Sequence, residues 1–409
     1  MKKNTFINVV LIGLIVVAGA SILASQTDIF NKLIGKDEPK EENVILGVSW
    51  DRTESTALTR LTSKNDDLVT YDVKTEAVAG IGSSKGFSEF DNLYPYNEMK
   101  EYNVVDNEIK YSREDKLFSL TEYDVVVHIP TFYYKVVSTE EKVNYYISNQ
   151  KVDGFEKHPG SNKYVAKYNT SASYLSVSGV DPLTNITRAE VRENAKAKGD
   201  NWSQYDFATW NAIQMLYLVE YADFDVQAKI GRGIVDTAKL GYDTKFLPTG
   251  GCDSMAYHTG RAEGEDGYTQ VQYRYIEGLW GNVCEWVDGI NMNEREVFIS
   301  LDHKKYADDT DEGYTSTGVT LPSTGKITGL GYSEKYSWAI IPNQSVVDAD
   351  YTIPQYVPDK VCSGSGWRIL YTSNNADGDS LAGLFRFSTS SASTRIHETY
   401  GCRLVFHGE

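Results

Sequence analysis

The chain has 409 residues, with 40 lysines and arginines against 57 aspartates and glutamates, and a net charge of −17. This length fits two or three domains, and 41% hydrophobic with 24% charged residues is ordinary for globular proteins, so wholesale disorder is excluded. The acidic charge argues against nucleic acid as a partner, and four cysteines in so long a chain exclude a small disulfide scaffold.

The amino terminus predicts export. Lys2 and Lys3 precede an apolar stretch from Phe6 to Ala24, which ends among small residues in the manner of a secretory signal peptide. The stretch is also near the lower length limit for crossing a bilayer, so residues 1–26 are predicted to be a signal peptide or a membrane anchor. A buried soluble helix fits less well, because the stretch has no polar face. The protein is therefore expected to be secreted, or displayed at the cell surface and bound to the membrane through this segment.

The next two segments carry weaker patterns. Residues 27–43 are charged, contain Pro39 and have little to bury, which predicts a linker. Residues 44–121 hold short apolar pieces such as Val44–Val48 between turn residues and charges. No helical period is long enough to predict a helix there, so this segment is predicted to be a small β-rich region.

Strand patterns become clear after residue 121. β-branched and aromatic residues predict strands over Val125–Ile129, Phe132–Val137 and Val143–Ile147, and a polar turn joins the last two as a hairpin. Beyond Gly231 the chain returns to short strands and long polar loops. Few helices, many short strands and long loops predict an α+β domain over residues 122–409 that carries its function on loops.

Two helices are predicted between these strand regions. The capping box formed by Thr187 and Glu190 predicts a helix that ends at Gly199. A second helix is predicted to begin at Ser203. Because it is apolar on nearly all sides over Met215–Val219, this helix is expected to be buried.

Sequence motifs for catalysis and metal binding are absent. The six histidines are scattered without zinc-site spacing, the cysteines lack CxxC spacing, and the chain has no P-loop, GxSxG or GxGxxG motif. The acidic turns Asp308–Gly313 and Asp377–Asp379 offer oxygen atoms to calcium, but they lack a full ligand loop, so solvated turns are the preferred interpretation. No cofactor is predicted, with calcium as the alternative.

Three motifs rich in glycine and aromatic residues follow in order. They are GLWGNVCEWV over 278–287, GSGWR over 364–368 and GCRLVF over 401–406. Trp280 and Trp286 are large enough to be core fillers, Gly281 permits a bend, and Asn282 can satisfy backbone groups beside it. These residues are predicted to build the scaffold and need not take part in chemistry.

These motifs, in this order, resemble the C-type lectin-like fold in its formylglycine-generating-enzyme branch. Further segments, among them IPTFYYK at 129–135 and DGFEKHP at 153–159, are similar to phage tail and receptor-binding proteins and to the variable proteins diversified by retroelements. The resemblance runs from about Val125 to Phe406. It implies a domain that presents a ligand-binding face.

The sequence departs from this family pattern at its cysteines. Cys284 stands where the family usually has Trp, and Cys402 where an aromatic or small residue is usual, so a bridge between them is one pairing left open. The related enzymes use cysteines late in the chain, whereas residues 370–400 contain none. This departure argues against the oxidase activity of the related enzymes, and no catalytic residue is predicted.

The resemblance places the ligand-binding face in the last stretch before the closing strand. Apolar residues there, such as Leu384 and Phe385, are expected to anchor the backbone in the core, and the other side chains are adaptable polar and aromatic types. An ordinary surface loop rich in serine and threonine is the alternative. The candidate ligand-binding residues are Tyr371, Ser373, Asn374, Asn375, Asp377, Arg386, Ser388, Ser390, Ser391, Ser393, Arg395, His397 and Tyr400.

These patterns predict a secreted or surface-displayed binding protein of the adhesin or receptor-binding type. Its partner is expected to be a protein or a glycan, and it fits the variable target protein of a diversity-generating retroelement. Two alternatives stay open. One is an oxidase of the formylglycine-generating type, and the other is a structural, phage-tail-like protein that assembles with itself as a homo-oligomer.

Overall fold

A computed structural model describes residues 43–52, 56–237, 246–347 and 357–408. Residues 44–409 form one compact unit. The predicted signal or anchor over residues 1–26, and the linker up to residue 42, lie outside the described residues. Within the described ranges, no helix is both long and apolar enough to cross a membrane.

The described chain is rich in sheet, with 36% strand and 13% helix, which is compatible with the predicted α+β class and with a mostly β protein. Its strands are short and are numbered here in chain order. They are β1 (Ile45–Asp51), β2 (Thr59–Arg60), β3 (Gly80–Ile81), β4 (Glu101–Val105), β5 (Glu108–Ser112), β6 (Asp124–Ile129), β7 (Tyr133–Ser138), β8 (Lys142–Ser148), β9 (Glu156–Lys157), β10 (Lys163–Ala166), β11 (Trp202–Gln204), β12 (Gly260–Arg261), β13 (Val271–Tyr273), β14 (Ile276–Glu277), β15 (Cys284–Asn293), β16 (Glu296–Ile299), β17 (Thr315–Thr320), β18 (Thr324–Gly331), β19 (Ile341–Val346), β20 (Val357–Ser363), β21 (Arg368–Ser373), β22 (Gly383–Ser391), β23 (Tyr400–Gly401) and β24 (Leu404–Phe406).

The strands of the described residues form four sheets. One has the order β2-β1-β8-β7-β9, a second β11-β24-β10-β6-β4-β5, and a third β14-β13-β12-β3. The largest has the order β17-β16-β15-β21-β22-β20-β18-β19, with β23 paired beside β15. Strands from residues 44–121 lie in the same sheets as later strands, since β1 pairs with β8 and β4 with β6. The division at residue 122 stays a prediction from sequence.

The predicted strands around residue 130 are confirmed as β6, β7 and β8. β7 and β8 pair antiparallel as a hairpin, with Ser138 opposite Val143. Alternation of β-branched and aromatic side chains produces this pairing, because one face of each strand packs into the core. Val143 and Ile147 on β8 are buried accordingly.

Three α-helices lie among the described residues: α1 (Arg188–Lys198), α2 (Phe207–Tyr221) and α3 (Val226–Lys229). The predicted capping box of α1 is present, with Thr187 and Glu190 each bonded to the other's backbone. All 15 residues of α2 are buried, as its apolar pattern predicted. The predicted start of this helix at Ser203 is wrong, because Ser203 lies in β11 and Asp206 caps the helix instead.

A fully buried ion pair joins the motif GCRLVF (401–406) to the motif GLWGNVCEWV (278–287), which we call the central motif. The guanidinium of Arg403 donates to the carboxylate of Glu285 from Nη2 at 2.7 Å and from Nε at 3.0 Å. Its other N–H groups reach the backbone carbonyls of Ala166 and Lys167, both at 2.7 Å, and of Glu277 at 2.7 Å. Every side of the guanidinium therefore meets an oxygen atom, which is the condition under which a buried charge is tolerated.

A second buried carboxyl group, Asp359 on β20, has no such ion pair among the described residues. Its Oδ2 accepts a hydrogen bond from the backbone N–H of Phe385 at 2.7 Å. Burial is the main cause that raises the pKa of Asp359 to about 7. The folded protein therefore holds this proton more tightly than the unfolded chain does.

We expect Arg403→Met to lower the free energy of unfolding by about 3–5 kcal/mol, because it leaves the charge of Glu285 buried and unpaired. Adding Glu285→Gln should recover part of this loss, since the unpaired charge is then gone. Urea unfolding followed by tryptophan fluorescence measures the free energy of unfolding of the single and the double variant. Lys100→Ala is the control, because it removes an exposed ion pair with Glu98 (3.1 Å) worth less than about 1 kcal/mol. Equal losses for Arg403→Met and Lys100→Ala would contradict the prediction.

We expect Asp359→Asn to stabilise the protein at pH 8 and to leave its stability nearly unchanged at pH 4. The folded-state pKa of Asp359 is raised, so the wild type loses stability as the pH rises from about 4 to about 7, and asparagine abolishes that loss. The gain at pH 8 should be roughly 2–4 kcal/mol. Paired urea titrations at pH 4, 6 and 8 measure it, and an equal effect of the substitution at all three values would refute it.

Candidate functional site

Four strands of the largest sheet bring the C-terminal segment together with the central motif. β15 pairs antiparallel with β21, which places Tyr371 opposite Trp286. β23 runs parallel to the start of β15, so Tyr400 lies beside Cys284. On its other side β21 pairs with β22, where Tyr371 lies opposite Ser388. Residues far apart in sequence thus share one face of the sheet.

Three aromatic side chains form the base of this face. The ring of buried Trp286 meets the rings of Tyr371 and Tyr400 edge-on, at centroid distances of 5.9 and 5.0 Å. Tyr371 and Tyr400 also contact each other at 4.7 Å. Edge-to-face packing of this kind adds stabilisation beyond the buried area, so the base is a packed part of the scaffold.

A cavity of about 550 Å³ opens above this base. Its size lies in the range of small-ligand sites in proteins. It is lined by hydroxyl groups, one cationic side chain, one aromatic ring and two apolar side chains, from Ser390, Ser391, Ala392, Thr394, Arg395, Ile396 and Tyr400.

The polar groups of the cavity can both donate and accept hydrogen bonds. Arg395 is exposed and its guanidinium lies 6.0 Å from the ring centre of Tyr400. Burial first, and Tyr371 second, raise the pKa of Tyr400, so its hydroxyl stays neutral. The Tyr371 hydroxyl lies 3.4 Å from Oγ of Ser390. The cavity therefore offers one positive charge and several neutral hydroxyls to a ligand.

Six of the thirteen predicted residues meet at this cavity or its base. His397 is included because its ring contacts that of Tyr400, at a centroid distance of 5.1 Å. The six are Tyr371, Ser390, Ser391, Arg395, His397 and Tyr400. Ser391 lines the cavity although only 7% of it is exposed.

Three other predicted residues are buried within the sheet. Ser373 and Ser388 have no exposed surface, so they support the face without reaching a ligand directly. Arg386 is 7% exposed, and its Nη2 lies 3.8 Å from Sγ of Cys362. The sequence pattern had placed all three on the binding face.

The remaining four predicted residues lie apart from the cavity lining. Asn374, Asn375 and Asp377 belong to the turn after β21, which bonds to the central motif through the N–H of Ala376 and the carbonyl of Asn282 at 3.1 Å. Ser393 donates a hydrogen bond to Asp309.

Sequence reasoning missed three residues of the cavity: Ala392, Thr394 and Ile396. All three lie between the predicted residues Ser390 and His397, so position alone could have included them. Ile396 is half exposed, at 52%, which is unusual for a large apolar side chain. Exposed apolar atoms beside polar groups are typical of binding surfaces.

The bridge considered for Cys284 and Cys402 is not formed, and the acidic turn takes part in ion pairs. All four cysteines carry free thiols, so Cys284 and Cys402 are not bridged although both are buried in one cluster. Asp308 pairs with Arg188 at 2.5 Å and with Arg192 at 2.8 Å, which engages one of the acidic groups considered for calcium. Among the described residues, no group of three or more histidine, cysteine or acidic side chains could hold a metal ion.

We expect Tyr371→Ala to lower the free energy of unfolding by about 3–5 kcal/mol, because it opens a hole beside Trp286. Tyr371→Phe keeps the ring and should cost less than about 1.5 kcal/mol. Arg395→Ala should change stability by less than about 0.5 kcal/mol, since its side chain is exposed. Thermal unfolding of the three variants tests whether Tyr371 belongs to the packed base and Arg395 to the exposed rim of the cavity. A large loss for Arg395→Ala would show that the rim is part of the core.

Comparison with known proteins leaves the family open. No protein-family profile matches the chain, and no curated protein matches its sequence. The resemblance to the C-type lectin-like fold therefore stays a prediction.

Proposed function

We propose that this chain is a surface-displayed or secreted ligand-binding protein, which holds a protein or glycan ligand at the C-terminal segment over residues 371–400. The observation that carries the proposal is the cavity above the Tyr371–Tyr400 pair, lined by Ser390, Arg395 and Ile396. A rigid aromatic base with short hydroxyl side chains and one arginine is a composition that protein-binding and sugar-binding surfaces share.

The proposed fold is the C-type lectin-like fold in its formylglycine-generating-enzyme branch, of the kind found in retroelement-diversified variable proteins. Its support is that the motif residues Trp286, Glu285 and Arg403 are all buried and in contact with structural partners. In such a design the scaffold residues are fixed by packing. Residues at the rim of the cavity, such as Arg395, are then free to differ without loss of the fold.

Charge bears on the choice of ligand. The net charge of −17 opposes long-range attraction of anionic partners. Arg395 supplies a local positive charge at the cavity, and this acts only over contact distances at physiological salt. Binding at this face should therefore depend mainly on shape and hydrogen bonding.

The test applies the labelled full chain to a glycan microarray and to a phage-displayed peptide library, and titrates the strongest binder from either set by biolayer interferometry. Replacing Ser390, Arg395 and Ile396 with Ala should raise Kd at least tenfold, because the variant removes the cation and the exposed apolar contact of the cavity. Tyr371 stays unchanged, so the base is kept.

A matched control replaces Ser83, Lys64 and Leu301 with Ala. These exposed residues repeat the chemistry of the test set but do not line the cavity, and Leu301 is 48% exposed, similar to Ile396. Its Kd should stay within twofold of wild type. Absence of any binder, or equal affinities of wild type and cavity variant, would overturn the proposal.

A further inference from the structure

A second cavity, of about 470 Å³, has no part in the proposed C-terminal face. It combines charged side chains with aromatic rings, and we name it the Lys167 cavity. The charged residues of its lining are Lys85, Glu101, Arg113, Lys167 and Asp253.

Four charged groups of this cavity hold one another in place: Lys167, Glu101, Asp253 and Arg113. Nζ of Lys167 donates to Oε1 of Glu101 at 2.6 Å and lies 3.6 Å from Oδ1 of Asp253. Burial alone would lower the pKa of Lys167, but Glu101 and then Asp253 raise it above its ordinary value. The ammonium group is therefore charged. Arg113 approaches the other oxygen of Glu101 at 3.6 Å, and its side chain is nearly half exposed.

An aromatic wall lies along the same cavity. The rings of Tyr257 and His258 are 4.0 Å apart, and those of His258 and Tyr275 are 5.5 Å apart. The hydroxyl of Tyr257 donates a hydrogen bond to Asp91 at 2.6 Å, and Nε2 of His258 lies 2.9 Å from the same carboxylate. The hydroxyl of Tyr275 makes no hydrogen bond within the described chain, and burial followed by Glu101 raises its pKa, so it is a neutral group available to a ligand.

The charges of the lining almost balance. Lys85, Arg113 and Lys167 supply three positive charges, and Glu101 and Asp253 supply two negative ones. An anion would meet the two carboxylates, and a cation would meet the three basic groups. A hydroxyl group, in contrast, donates to a carboxylate and accepts from an ammonium or guanidinium. The electrostatics of the cavity thus favour a neutral ligand that carries many hydroxyls.

Shape supports the same ligand class. An aromatic ring offers a flat apolar face, which suits the C–H face of a sugar ring, and the volume fits a small molecule. A neighbouring cavity of about 350 Å³ shares Glu101, Arg113 and Tyr275 with the Lys167 cavity, so the site continues past these residues. The combined space has room for a second ring.

We propose that the Lys167 cavity binds a neutral sugar of one or two rings, with one ring against Tyr275 and its hydroxyls bonded to Glu101, Lys167 and Arg113. This site does not depend on the C-terminal face, and its occupation by a sugar neither requires nor excludes a ligand there.

The experiment measures saturation-transfer NMR on the full chain with glucose, galactose, mannose, N-acetylglucosamine, maltose and cellobiose, each up to 20 mM. At least one should bind with a Kd of about 1 mM, the strength expected for so small a ligand. Glucuronate and glucosamine repeat the glucose ring with a negative or a positive charge. Both should bind at least fivefold more weakly than the best neutral monosaccharide.

Variants then locate the bound sugar. Tyr275→Ala should raise Kd at least tenfold, and Tyr275→Phe, which keeps the ring and removes the hydroxyl, about threefold. Tyr332→Ala is the matched control, because this tyrosine is 46% exposed and lies outside the cavity lining. Its Kd should equal that of wild type. Three results would each overturn the proposal: no neutral sugar saturates, a charged analogue binds more tightly, or Tyr275→Ala binds as wild type does.

Discussion

The buried pair of Arg403 and Glu285 is the interaction on which the rest of the fold depends. Taking two charges out of water costs several kcal/mol per ion, and this cost is met only where every N–H finds an oxygen. Arg403 satisfies this condition with carbonyls from two separate segments, and Asn169 donates to the same carboxylate of Glu285. Because Arg403 lies just before β24 and Glu285 lies in β15, the pair ties the six-stranded sheet to the largest one.

The C-terminal face is a consequence of this constraint. Successive side chains of a strand point to opposite faces, so fixing Glu285 on one face of β15 places Trp286 on the other. There Trp286 supports Tyr371 and Tyr400, and the cavity opens beyond them. The side chains at the rim, such as Arg395, are at least two contacts away from the ion pair. The rim can therefore vary in chemistry while the base and the fold stay constant.

The sequence was most informative where structure is local. The capping box of Thr187 and Glu190 was predictable because both partners lie within one helical turn. Ser203 and Asp206 are both good cap residues, and sequence reasoning took the first. The pairing of β11 decides which residue caps the helix, because Ser203 lies there opposite Val405, about two hundred residues away. Such long-range pairing overrides a local preference and leaves no trace in the neighbouring sequence.

The two cavities also differ in how local their residues are in sequence, and therefore in how well the sequence predicted them. The C-terminal segment was recognised as a unit, but the register shifts between β21 and β22 and the full burial of Ser373 and Ser388 were not visible in the sequence. The Lys167 cavity draws its residues from six separate stretches of the sequence, so each looked like an isolated charge or ring. The backbone carbonyl of Lys167 also accepts from Arg403. The backbone of the Lys167 cavity is therefore tied to the central ion pair, whereas Arg395 at the C-terminal cavity is an exposed side chain whose replacement leaves that pair intact.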